Sequence, residues 1–70
     1  MPIFLAPIDQ EVTIRRVGCE PKESARLAAL GLCKDTKVTV LSSQHGAVVV
    51  LIRGSRLALD RVTASKIIVA

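Results

Sequence analysis

Seventy residues leave room for one small domain, half of it apolar and 23% charged, with ten Lys plus Arg against six Asp plus Glu and a net charge of +4. A chain this short buries only a thin core, so a deep cleft between layers, a dinucleotide-binding fold and a two-domain clamp are all excluded. A binding module, a subunit or a small regulator remains.

The core is aliphatic, since there is one Phe (Phe4), one Met (Met1), no Trp and no Tyr. That speaks against a reader of single-stranded nucleic acid, which stacks bases on aromatic faces. It speaks equally against a reader of proline-rich peptides. The basic residues are scattered, and no run is longer than Arg15-Arg16. Stable nucleic-acid binding is therefore the weaker meaning of the charge, and a solvated polar surface the simpler one.

Residues 1–9 read as an extended arm, because Pro2 and Pro7 hold them out of a helix. Ile3, Leu5 and Ile8 are its packing residues. Glu11 to Val17 alternates, with Val12 and Ile14 on one face and Thr13 and Arg15 on the other, as in a half-buried strand. Pro21 opens a helix at the position where a missing N–H costs nothing. Glu23 suits its first turn. The helix runs to Leu30, with Leu27, Leu30 and Ala28 toward the core. Gly31 stops it at a position that wants positive φ, and Leu32 folds back on Leu27.

Strands follow. Lys37 to Ser42 alternates, a polar turn takes Ser43-Gln44-His45-Gly46, and Ala47 to Ile52 returns, forming a hairpin. Arg53-Gly54-Ser55 turns again into Arg56 to Leu59. Asp60 caps one helical turn through Ser65, and Lys66 to Val69 is the last strand. The expected fold is mostly β: a small barrel of about five strands, a short helix after the first strand and a helical turn before the last. Closing the sheet would remove its edges. Residues 1–70 read as a single domain.

Little catalytic chemistry is legible. The single His45 lies beside Gly46 in a turn, where it reads as a solvated residue. No carboxylate pair has useful spacing, and the four glycines are isolated. The expectation is a non-enzyme. Cys19, Glu20, Cys33 and His45 have the chemistry of transition-metal ligands, but their spacing follows no motif. The simpler reading makes Cys33 a small hydrophobe and Cys19 a loop thiol, both free in a reducing compartment. No signal peptide and no membrane span is legible, so the protein reads as cytoplasmic.

The run Leu27-Ala28-Ala29-Leu30-Gly31-Leu32, followed by Lys37-Val38-Thr39-Val40, resembles the FeoA family. So do Gly54-Ser55-Arg56-Leu57-Ala58-Leu59, then Ala64 and Ile67-Ile68-Val69, and the leading Leu5-Ala6 with Glu11-Val12-Thr13-Ile14. The resemblance spans nearly the whole chain. It implies an SH3-like barrel acting in bacterial ferrous iron uptake, as a cytoplasmic accessory of FeoB, a membrane transporter with a cytosolic GTP-binding domain. The same barrel closes iron-dependent repressors, a reading expected to fail on length at 70 residues. Lys34-Asp35 stands where the family often has Pro-Gly, a change Asp tolerates in a turn. Val62-Thr63 replaces a frequent Glu-Leu.

The expected function is thus protein–protein contact with the FeoB cytosolic domain. A metal-responsive module using Cys19, Cys33 or His45 and a small-barrel nucleic-acid binder are the alternatives. Ferrous iron as a ligand and a homo-oligomer are both left open by the residues. Arg53, Gly54, Ser55 and Arg56 are the expected docking corner, where two guanidinium groups flank a turn and match carboxylates.

Overall fold

The computed structural model describes residues 1–70. A 3-10 turn at Ile3–Leu5 precedes strand β1 (Glu11–Val17), helix α1 (Pro21–Ala29), strands β2 (Lys37–Gln44), β3 (Ala47–Ile52) and β4 (Ser55–Leu59), helix α2 (Arg61–Ser65) and strand β5 (Ile67–Val69). The strands form one antiparallel sheet in the order β4-β3-β2-β1-β5. It curls around a cluster of fifteen buried residues, all aliphatic. This is a small SH3-like barrel, mostly β.

Alternation along the strands explains how the sheet curls around that cluster. In β3, Val48, Val50 and Ile52 are buried while Ala47 and Leu51 are exposed. In β2, Val38 and Val40 are buried on the same inner face. Each such aliphatic side chain contributes roughly 1.5–3 kcal/mol when fully buried.

The barrel is not closed strand to strand. β4 and β5 end the sheet and do not pair with each other. Instead α2 packs against β3, β5 and the 3-10 turn on that side. The N-terminus adds to the β5 edge: Pro2 bridges Ile68, the Met1 ammonium donates to Val69 O at 2.8 Å, and Val69 N donates to Met1 O at 2.7 Å. The β5 edge is thus managed by cover rather than by closure.

Residues 1–9 differ from the extended arm expected above. Pro2 and Pro7 flank the 3-10 turn without entering it, since a single turn needs only the bonds Leu5 N to Pro2 O and Ala6 N to Ile3 O. The turn rotates Ile3 into the core and leaves Leu5 62% exposed, with Ile8 also exposed. Ala6 takes the second buried place.

Helix α1 ends at Leu30 as its C-cap. Leu32 N donates to Leu27 O at 2.9 Å and Gly31 N to Ala28 O at 2.9 Å, the paired bonds of a Schellman stop with Gly31 at φ 97°. Leu27 and Leu32 are fully buried, but Leu30 is 44% exposed and Ala28 is exposed. A nine-residue helix offers the barrel only one deep contact, and Leu32 supplies the second.

Both hairpins turn on two residues. His45 and Gly46 have φ 53° and 85°, and Arg53 and Gly54 have φ 51° and 78°. Positive φ at both positions is the type I′ turn, whose twist matches the strands it joins. β2 therefore runs on to Gln44, and β4 starts at Ser55.

Candidate functional site

Strand β1 carries the first element of the site. Its pairing with β5 shifts between Ile14 and Arg16, so that Ile14 faces Val69 and Arg16 faces Ile68. Strict alternation would aim Arg16 inward with Val12 and Ile14. The bulge resets the phase, and both Arg15 and Arg16 are exposed. The chain thereby keeps two adjacent cations out of an aliphatic core.

The segment after α1 lies opposite. Ile14 is held on both sides by it: Asp35 N donates to Ile14 O at 2.7 Å and Ile14 N to Thr36 O at 2.9 Å. Asp35 has φ 72°, a left-handed position that Asp tolerates better than most residues. The loop places Lys34 across from the two arginines. A groove of about 540 Å3 opens between α1, β1 and this loop. Arg15, Arg16 and Lys34 line it, half-buried Val17 and exposed Ala28 supply apolar surface above the buried Leu32, Ser24 and Cys33 complete the lining, and no carboxylate lines it. The two ion pairs of the molecule, Arg26 with Glu23 and Lys37 with Glu11, involve none of the three cations. Arg16 also borders a smaller cleft of about 280 Å3 that adds Lys66.

A second groove of about 500 Å3 lies between the 3-10 turn, the β2–β3 hairpin tip and α2. Phe4, His45, Gly46, Arg61, Val62 and Ser65 line it, and Val62 is 62% exposed. Asp60 caps α2 by accepting from Thr63 N at 2.8 Å, and this backbone bond holds its carboxyl below the usual range. Glu23 is likewise lowered, by the hydrogen bonds that Arg26 donates at 2.7 and 3.0 Å.

The residues singled out in the sequence fall in separate places. Cys19, Cys33 and His45 do not converge, and no group of three His, Cys, Asp or Glu side chains stands together. Both thiols are free and half-buried. Cys33 Sγ lies 3.2 Å from Thr36 Oγ1, Cys19 packs against the core, and His45 is exposed at its hairpin tip.

In the corner Arg53-Gly54-Ser55-Arg56 all four residues are exposed, but the two arginines are not equivalent. Arg53 lies over the end of α1: a Cβ added at Gly31 would stand 3.1 Å from both its Cδ and its Nε. Arg56 stands on β4 opposite Leu51. Sequence reasoning missed the meeting of Arg15, Arg16 and Lys34, because the bulge and the left-handed Asp35 that create it leave no periodic signal. The one available hint was Arg16 itself, a cation in a core phase. No helix is long and apolar enough to cross a membrane.

The FeoA domain model matches residues 1–70. A protein of Methanocaldococcus jannaschii named "Putative Fe(2+) transport protein A" is 29% identical over 68 residues, which are 97% of this chain and 83% of that protein. The crystal structure of an iron uptake regulatory protein (FeoA) superposes with a TM-score of 0.86 at 17% identity, covering 99% of this chain and 93% of that one. T. acidophilum IdeR superposes at 0.82 with 24% identity over 99% of this chain and 32% of its own. These two are likenesses of fold. With the family model matched from the first residue to the last, this chain belongs to the FeoA family.

Proposed function

We propose that this protein is a cytoplasmic accessory of ferrous iron uptake, which acts without catalysis by docking on the cytosolic part of a FeoB-type transporter. The observation that carries the reading is the FeoA match over all 70 residues. The name of the M. jannaschii relative, an Fe(2+) transport protein, agrees with it. The 70 residues act as one unit in this reading.

The surface supports contact rather than chemistry. The charged side chains lining the two grooves are exposed cations, and the only histidine sits on a turn tip. Arg53, which lies over Gly31, and Arg56 contact carboxylates of the transporter. Such rim charges govern partner choice and on-rate more than folding.

The test is a titration of detergent-solubilised full-length transporter with wild type and with the Arg53→Glu/Arg56→Glu double variant. Wild type binds, and the double variant, with an unchanged melting curve, binds more weakly, most visibly at low salt. No binding by wild type would refute the docking function. Equal affinities would remove the Arg53–Arg56 corner from the interface.

A further inference from the structure

We infer that the groove between β1 and α1 receives an acidic, apolar-tipped polypeptide segment of the docking partner. The inference rests on the transporter-docking reading above and adds to it a place and a chemistry.

Three observations carry it. First, Arg15, Arg16 and Lys34 surround one groove, although Lys34 is remote from the arginines in sequence, and neither ion pair of the molecule uses them. Unpaired cations gathered around a concave surface make a positive potential that attracts carboxylates, and Arg is favoured at interfaces for its bidentate fork. Second, exposed Ala28 and half-buried Val17 place aliphatic surface between them, above the fully buried Leu32 and beside Ser24 and Cys33. An anion alone would leave that surface in water, whereas a Leu- or Met-like side chain flanked by Asp or Glu satisfies both. Third, the walls are fixed before any partner arrives. The Ile14 bonds to Asp35 and Thr36 and the Schellman bonds of α1 hold both sides by main chain, which lowers the ordering cost of binding.

Nucleic acid fits the groove less well. No aromatic side chain lines it, so bases find no stacking surface. The other groove, with Phe4 and Val62, holds Arg61 and His45 as its ionisable groups and shares no lining residue with this one.

The experiment compares wild type, Arg15→Glu/Arg16→Glu and Ala28→Trp in titrations against the detergent-solubilised full-length transporter at low and high salt. Arg15, Arg16 and Ala28 are all exposed, so the variants keep the wild-type melting curve. The charge-reversed variant binds at least about tenfold more weakly at low salt, and the difference narrows at high salt. Ala28→Trp fills the groove without changing charge and also weakens binding. If the double variant does not fold, Lys34→Glu reads the same charge. Undiminished binding by the groove variants, while wild type binds, would overturn the groove and leave the docking function standing. Absence of binding by wild type would overturn both. Competition by inorganic phosphate beyond that of chloride at equal ionic strength would reveal a phosphate site and overturn the peptide reading. Competition by a single-stranded oligonucleotide would overturn it in favour of nucleic acid.

Discussion

The two grooves are nearly equal in size, about 540 and 500 Å3, yet they are held open by different means. The basic groove between β1 and α1 is framed by main chain, through the Ile14 bonds and the Gly31 stop. The apolar groove beside α2 adds side-chain contacts to short main-chain turns: Arg61 lies over Gly46, Ser43 Oγ donates to Phe4 O at 3.0 Å, and Asp60 caps a helix of five residues. Main-chain bonds between fixed elements resist opening better than a short capped turn does. The molecule thus sets its clustered cations in its firmer frame, which suits the docking proposed for that groove, and leaves the apolar groove in the softer one.

The largest expected effect attacks the firm frame. Gly31 is buried at φ 97°, and a β-branched residue there is strained. Gly31→Val should cost roughly 1–3 kcal/mol and lower the melting temperature by about 4–8 °C for each kcal/mol. Displacement of Arg53 from the end of α1 should accompany it. An unchanged melting curve would mean that α1 is not anchored by this stop.

Gly46→Ala attacks the soft frame and should cost less. The φ of 85° makes the alanine unfavourable by about 1–2 kcal/mol. Its Cβ would stand 2.7 Å from Arg61 Cγ, so Arg61 must swing away and the apolar groove must widen. Combining it with Arg61→Ala should recover the steric part and leave the backbone part, as differential scanning calorimetry on the four proteins would read. No recovery would place Arg61 elsewhere in solution.

Acid gives the smallest effect and separates the grooves by titration. The folded-state pKa of Asp60 is lowered by the Thr63 N–H. Its stabilisation is therefore complete above the unfolded carboxyl value near 3.9 and is lost as pH falls through the lower folded value. Below about pH 4, α2 should loosen while the β1 and loop amides around Ile14 stay protected, as amide exchange measured against pH would show. Glu23 titrates in the same sense, because Arg26 lowers it in the folded state, but its pair lies on the exposed side of α1. Simultaneous loss at α2 and at Ile14 would erase the distinction between the frames.

Much of the fold was legible in local chemistry. Pro21 and Gly31 mark the limits of α1, Asp60 announces α2, and the alternation of Val38, Val40, Val48 and Val50 predicts the inner face of the hairpin. The misses share a physical cause: a short-range signal cannot show an interruption of its own period. Leu30 has helical spacing from Leu27, but the helix ends there and Leu32 takes its place. Pro2 and Pro7 exclude an α-helix yet permit the 3-10 turn between them. The site was less legible still. Sequence separates Arg53 and Arg56 only as turn and strand, and the tertiary contact of Arg53 with Gly31 is visible only in the fold. Arg15, Arg16 and Lys34 meet through a bulge and a left-handed aspartate, both of which exist only relative to a partner strand or loop.

The most direct test of the account is amide hydrogen–deuterium exchange on the full chain, with and without the full-length transporter. Added protection is expected at residues 15–17 and 32–34, while His45-Gly46 and residues 61–65 exchange as in the free protein. Protection confined to His45-Gly46 and residues 61–65, with the segments around Arg15 and Lys34 unchanged, would contradict it and move the interface to the apolar groove.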